Sequence, residues 1–302
     1  MTVKKYIFIA VAVLAATGIR AAITSQSELF PGIDAYTKEE IRWQGLARLY
    51  PQRVRFESPE LHPNRLSGHA TRIEDLPRSI KYIRVYRLDE ALKTIETQIR
   101  HPALLLDFRY LKSTVLGVEL AAMLGCQSAV SNILPIGNIP RVISHSLRGS
   151  DMAVVSPRST PIVVLCNEQT EGPFEAILHN LQHAGAIILV GEATTGHTGY
   201  YKKIGNATWV LEGELRPTPS DSLVGVGVTP RIKVATSAEQ SYINYHLYEA
   251  GTPIQQLLNP AKQHTPDSSQ PASGSAPRNT DVVLQRGTDI VAALQILQQP
   301  HL

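Results

Sequence analysis

Two cysteines, Cys126 and Cys166, are too few among 302 residues to staple a small extracellular fold. Each follows an apolar run, Met123-Leu124-Gly125 and Val163-Val164-Leu165, so buried thiols are expected. One disulfide between them stays open if the compartment is oxidising. Charge of one sign is also scarce, with 29 Lys plus Arg against 26 Asp plus Glu. Three of the basic residues, Lys4, Lys5 and Arg20, lie near the amino terminus with no acid among them, so the rest of the chain is formally neutral. No global field draws nucleic acid or anionic lipid, and no nucleic-acid partner is expected. Internal repeats are absent, and beyond the amino terminus no apolar stretch is long enough to cross a bilayer. What remains is ordinary globular material. With 43% hydrophobic and 18% charged residues the chain can bury a substantial core, which excludes a wholly disordered or collagen-like protein.

The amino terminus has its own pattern. Lys4 and Lys5 precede the apolar run Tyr6 to Thr17, and Ile19-Arg20-Ala21-Ala22 ends in small residues. Residues 1–21 read as an export signal, which implies a periplasmic or extracellular protein. Membrane attachment is expected only through this segment, if it is not cleaved.

Residues 22–78 are polar and punctuated by Pro31, Pro51, Pro59, Pro63 and Pro77, with one helix expected around Lys38 to Leu49. A main domain is expected over 79–258. In it Ile80 to Val85 alternates as a strand does, Leu88, Ala91, Leu92, Ile95 and Ile99 share one helix face, and Ala103 to Leu106 is a continuous apolar run. Ile162 to Leu165 and Ile187 to Val190 are further runs of that kind. Between them Pro173 suits a first helical position, Phe174, Ile177, Leu178 and Leu181 line a face, and Gly185 supplies the stop. Ala207 to Leu211 and Val226 to Val234 read as additional strands. Residues 259–281 are rich in Pro, Ser, Gln and Ala and read as a flexible linker. Over 282–302 a last helix, carrying Ile290, Ala293, Leu294 and Leu297, is expected to pack back on the core. The fold class expected is α/β with a mostly parallel buried sheet.

The order of elements resembles the tail-specific, or C-terminal processing, protease family. The resemblance rests on Lys81 to Val85, on Leu104-Leu105-Leu106-Asp107-Phe108-Arg109, on Ile162 to Glu168, on Leu189 to Gly196 and on Gly225 to Pro230. It implies a ClpP/crotonase-like superhelical domain and serine peptidase chemistry by a Ser-Lys dyad. In that frame Glu175 and Gly185 place Gly172 at the nucleophile, His197 at the dyad lysine and Tyr201 at a supporting glutamine. Tyr110-Leu111-Lys112-Ser113 replaces the Gly-Gly turn that helps form an oxyanion hole. No PDZ-like module is visible before Ile80. A glycine attacks nothing, so the resemblance implies a noncatalytic member. Such a protein would bind a peptide terminus or a partner protein, along a groove that adds a strand or at the helix start of Gly172 and Pro173.

Other readings compete with this one. Thr170 or a threonine around His197 (Thr194, Thr195, Thr198) could serve as an unusual nucleophile in an active peptidase, and a slipped register could bring Lys202 or Lys203 to the dyad place. Asp107, Arg109, Thr170, Glu171 and Glu175 are candidate site-lining residues, with a structural salt bridge as the bland reading of the first two. His179 and His183 have the spacing of shared metal ligands, but the Glu of a zinc-protease helix is missing and both fall off the apolar face. A solvated face is therefore expected there, with no metal and no cofactor. Asn206-Ala207-Thr208 matches a glycosylation acceptor, and Cys166 is expected to be buried rather than nucleophilic. A last alternative is a carrier of small hydrophobic ligands, since this domain type also occurs in the interphotoreceptor retinoid-binding protein.

Overall fold

The computed structural model describes residues 38–50, 52–56, 68–148, 161–204, 208–258 and 280–298. The segment expected to be an export signal, Asn206 and Ala207 of the glycosylation triplet, and nearly all of the stretch expected to be a linker over 259–281 lie outside the described residues. The chain divides into two compact units, of which the smaller comprises residues 1–57 and 203–210. In it α1 (Lys38–Leu49) has the bounds expected from sequence, and β1 (Val54–Arg55) pairs antiparallel with Trp209 and Val210.

The larger unit runs β2 (Thr71–Leu76), β3 (Ile80–Val85), α2 (Leu88–Gln98), β4 (Ala103–Asp107), α3 (Val118–Met123), α4 (Ser128–Ser131), β5 (Leu134–Gly137), α5 (Arg141–Arg148), β6 (Ile162–Cys166), α6 (Glu175–His183), β7 (Ile188–Gly191) and β8 (Gly199–Ile204). It continues through β9 (Thr208–Arg216), β10 (Ile232–Lys233), α7 (Ala238–Glu249), α8 (Ile254–Leu258) and α9 (Val282–Gln298). The last two residues of β8 and the first three of β9 belong to the smaller unit.

Among the described residues one sheet has six strands in the order β10-β7-β6-β4-β3-β2, all parallel except β2. The fold is thus mixed α/β with a mostly parallel sheet. Alternation along the strands builds two apolar layers. Leu104, Leu106 and Val164 face one side, where Ala91, Ile95, Ile177 and Leu181 of α2 and α6 cover them. Leu105, Val163 and Leu165 face the other, under Leu284, Val291 and Ala292 of α9. Each such Leu, Ile or Val side chain contributes about 1.5–3 kcal/mol by leaving water. Gly287 lets α9 approach closely, since a Cβ there would lie 2.5 Å from Leu165 Cδ2.

One expectation is corrected here. Of Val226 to Val234 only Ile232–Lys233 forms a strand, because Gly225 to Gly227 makes a turn that leaves Val226 exposed. β2 and β3 form a hairpin across residue 79, whose ladder runs from Thr71 opposite Val85 to Leu76 opposite Ile80. Both cysteines are free and buried. No helix among the described residues is long and apolar enough to cross a membrane.

Candidate functional site

The start of α6 gathers Glu171, Gly172, Glu175, His197 and Tyr201. The carboxylate of Glu175 organises the cluster. It accepts the N–H groups of Gly172 (3.0 Å), Gly196 (2.7 Å) and His197 (2.8 Å), together with the hydroxyl of Thr194. Glu175 is wholly buried, and burial lifts its carboxyl above the ordinary value against the hydrogen bonds that favour ionisation. With no cation beside it, donors alone solvate this group.

Beside it a second carboxylate, Glu171, holds the His197 ring, with Nδ1 2.6 Å from Oε1. Lys112 Nζ lies 3.3 Å from the other oxygen. Burial raises the Glu171 carboxyl, but His197 and Lys112 outweigh it and hold the group below the usual glutamate value. The Tyr201 ring stands edge-on to His197, with centroids 6.2 Å apart.

Gly172 is where a nucleophile would stand by the resemblance. Its φ is +143°, and a Cβ added there would fall 2.0 Å from the carbonyl oxygen of Ser113. The Lys112–Ser113 segment runs so close because Ser113 N–H donates to Glu171 O and Glu171 N–H donates to Leu111 O. Those bonds also spend the local donors. The N–H groups of Ser113, Glu171 and Gly172 all point inward, and Pro173 has none. At the helix start expected to hold a small anion or a chain terminus, the Glu175 carboxylate accepts the Gly172 N–H.

Thr170 does not fit the role of a nucleophile. Its fully buried hydroxyl donates to Phe108 O at 2.9 Å and accepts the N–H of Asn167 at 3.0 Å, so it serves the turn. Thr194 is bonded to Glu175 and to Val228 N–H, and Thr195 donates to Glu168 O. Thr198 Oγ1 is buried with no partner among the described residues. Lys202 pairs with Glu212, and Lys203 lies over the Trp209 ring. Burial pushes the Cys166 thiol far up, and it donates to Glu192 O at 3.4 Å. No group of three or more His, Cys, Asp or Glu among the described residues is placed to hold a metal ion.

Asp107 and Arg109 belong to a different cluster, which sequence reasoning saw only in part. Asp107 accepts from Arg109 Nε (2.9 Å) and Nη2 (2.6 Å) and from Tyr82 OH (2.7 Å), and Arg84 Nη1 stands 3.4 Å away. Arg109 also reaches Asp281 and the Tyr248 hydroxyl, each at 2.7 Å. Burial alone would raise Asp107, but the two guanidinium groups and Tyr82 win and hold it low. All these groups are buried and bond to one another, with Arg84 Nε left unpaired among the described residues, so the cluster is a pin between strands and helices. The local Asp-Phe-Arg triplet was readable, while Tyr82, Arg84, Tyr248 and Asp281 carry no pattern that ties them to it.

No protein-family model matches the chain, and no curated protein does. Solved structures similar to it in fold include a lipoprotein from Streptococcus agalactiae, at 12% identity and TM-score 0.40, over 59% of this chain and 69% of that one. The photosystem II D1 C-terminal processing protease is similar at 16% identity and TM-score 0.38, over 57% of this chain and 50% of that one. Mature CPAF complexed with lactacystin is similar at 15% identity and TM-score 0.39, over 64% and 56%. The chain spans half the length of the photosystem II enzyme.

Proposed function

We propose that this chain is an exported, noncatalytic protein of the tail-specific protease type that binds a peptide terminus or a segment of a partner protein. One observation carries the reading. The place of the attacking side chain is filled by a backbone carbonyl, 2.0 Å from where the Cβ of residue 172 would be. The donors that would stabilise an oxyanion are spent on Glu175 and Glu171, so nucleophile and oxyanion hole are missing together. What supports binding is the strand that follows His197. Gly199–Lys202 pairs with β9, and an extended peptide laid on its other edge would pass His197 and Tyr201.

The test is direct. Purified chain is expected to hydrolyse no member of a peptidase substrate panel and to take up no fluorophosphonate probe, and Gly172→Ser should restore neither. Hydrolysis that disappears in Thr170→Ala or His197→Ala overturns the reading. Binding is read by fluorescence anisotropy with labelled peptides, where Tyr201→Ala should weaken the complex about tenfold, the loss of one aromatic contact. Export is tested by sequencing the amino terminus of the secreted form, expected near Ala22.

A groove of about 550 Å³ favours a second reading, a small hydrophobic ligand. Leu124, Cys126, Ile162, Ile187 and Leu294 line it together with the polar Gln127, Ser128 and Gln298, and its volume lies in the range of ligand sites. Native mass spectrometry of freshly purified protein should then show a bound organic molecule.

A further inference from the structure

The polar face of α6 carries a pair of imidazoles that the proposed function does not use. His179 and His183 lie one turn apart with ring centroids 4.8 Å from each other and planes tilted by 37°. His179 is half-buried and His183 exposed. The buried Asn180 fixes the first ring. Its Nδ2 donates to Ala129 O at 3.0 Å, so its Oδ1 is an acceptor, and that oxygen stands 3.2 Å from His179 Nδ1. The hydrogen-bond network therefore assigns the proton to Nδ1 and leaves a lone pair on Nε2. An imidazole oriented through one nitrogen with the other free is the arrangement by which proteins prepare a metal ligand.

The electrostatics agree. The carboxylate of Asp221 acts on both rings. His183 is the last residue of the helix, where the carbonyl ends favour positive charge. We infer that His179 and His183 form a two-imidazole site for a borderline divalent cation such as zinc or copper, with water completing the coordination. The pair supplies only two protein ligands, so the site binds reversibly and ties the last turn of α6 to the preceding residues.

Zinc chloride titrated into the tag-free full chain tests this by thermal denaturation and calorimetry. Tm is expected to rise by about 3 °C for each tenfold excess of zinc over Kd. His183→Ala, at an exposed position, should abolish the rise, whereas His183→Cys, which restores a zinc ligand, should keep it. Copper added instead should give an electron paramagnetic resonance spectrum with coupling to two nitrogens. A Tm that does not respond to zinc, a response confined to millimolar zinc, or a rise that survives His183→Ala would overturn the inference. None of these readouts depends on peptide binding.

Discussion

Gly172 and Glu175 show how one residue's backbone sets another's side chain. Only a residue without a Cβ fits between the Ser113 carbonyl and Phe174, and that fit points the Gly172 N–H at Glu175. Gly172→Ala is therefore expected to cost about 3 kcal/mol or more, seen as a lower urea midpoint with unchanged slope. Glu175→Ala strands three backbone donors at 1–3 kcal/mol each and should cost a similar amount, about 3 kcal/mol or more. Glu171 adds a pH dependence of definite sign. Its folded pKa lies below its unfolded one, so its contribution is present above the ordinary glutamate value and is lost as pH falls through the depressed value. Melting curves of wild type and Glu171→Gln should differ by about 1 kcal/mol at neutral pH and converge in acid. At this scale the sequence showed which residues meet, because the resemblance aligned Gly172, Glu175, His197 and Tyr201. It did not show the carbonyl that closes the site, since a positive φ and a backbone approach from Ser113 are tertiary facts.

Helix α9, packed on the sheet through Leu284, Val291 and Ala292, is capped and tethered at its start by one residue. Asp281 accepts Leu284 N–H at 2.9 Å as a helix cap, and its other oxygen takes Arg109 and Tyr248, both at 2.7 Å. Asp281→Ala removes the cap and leaves the buried Arg109 short of a partner, so a loss of about 3–5 kcal/mol is expected. Hydrogen exchange should then show α9 opening ahead of the sheet. Legibility from sequence follows burial here. β4, β6 and β7 were readable because strands covered on both faces are continuous apolar runs. β2 went unread because Thr71 to Leu76 buries only Leu76. In α7 only Asn244 and Tyr248 are buried, so it offers no apolar stripe to recognise.

The molecule as a whole rests on a sheet whose middle strands are reachable only by unfolding. Cys166 ends β6 with no exposed surface and a thiol pushed far up by burial. Its alkylation should follow the global unfolding constant measured in denaturant, while Cys126, at the rim of the groove, reacts faster. A further consequence comes from the late position of α9 along the chain. Leu105, Val163 and Leu165 form one side of the sheet, and their cover arrives with residues 282–298. During synthesis that side has only Tyr248, Ile254 and Leu257 against it until residues 282–298 have emerged, so its apolar surface is covered late.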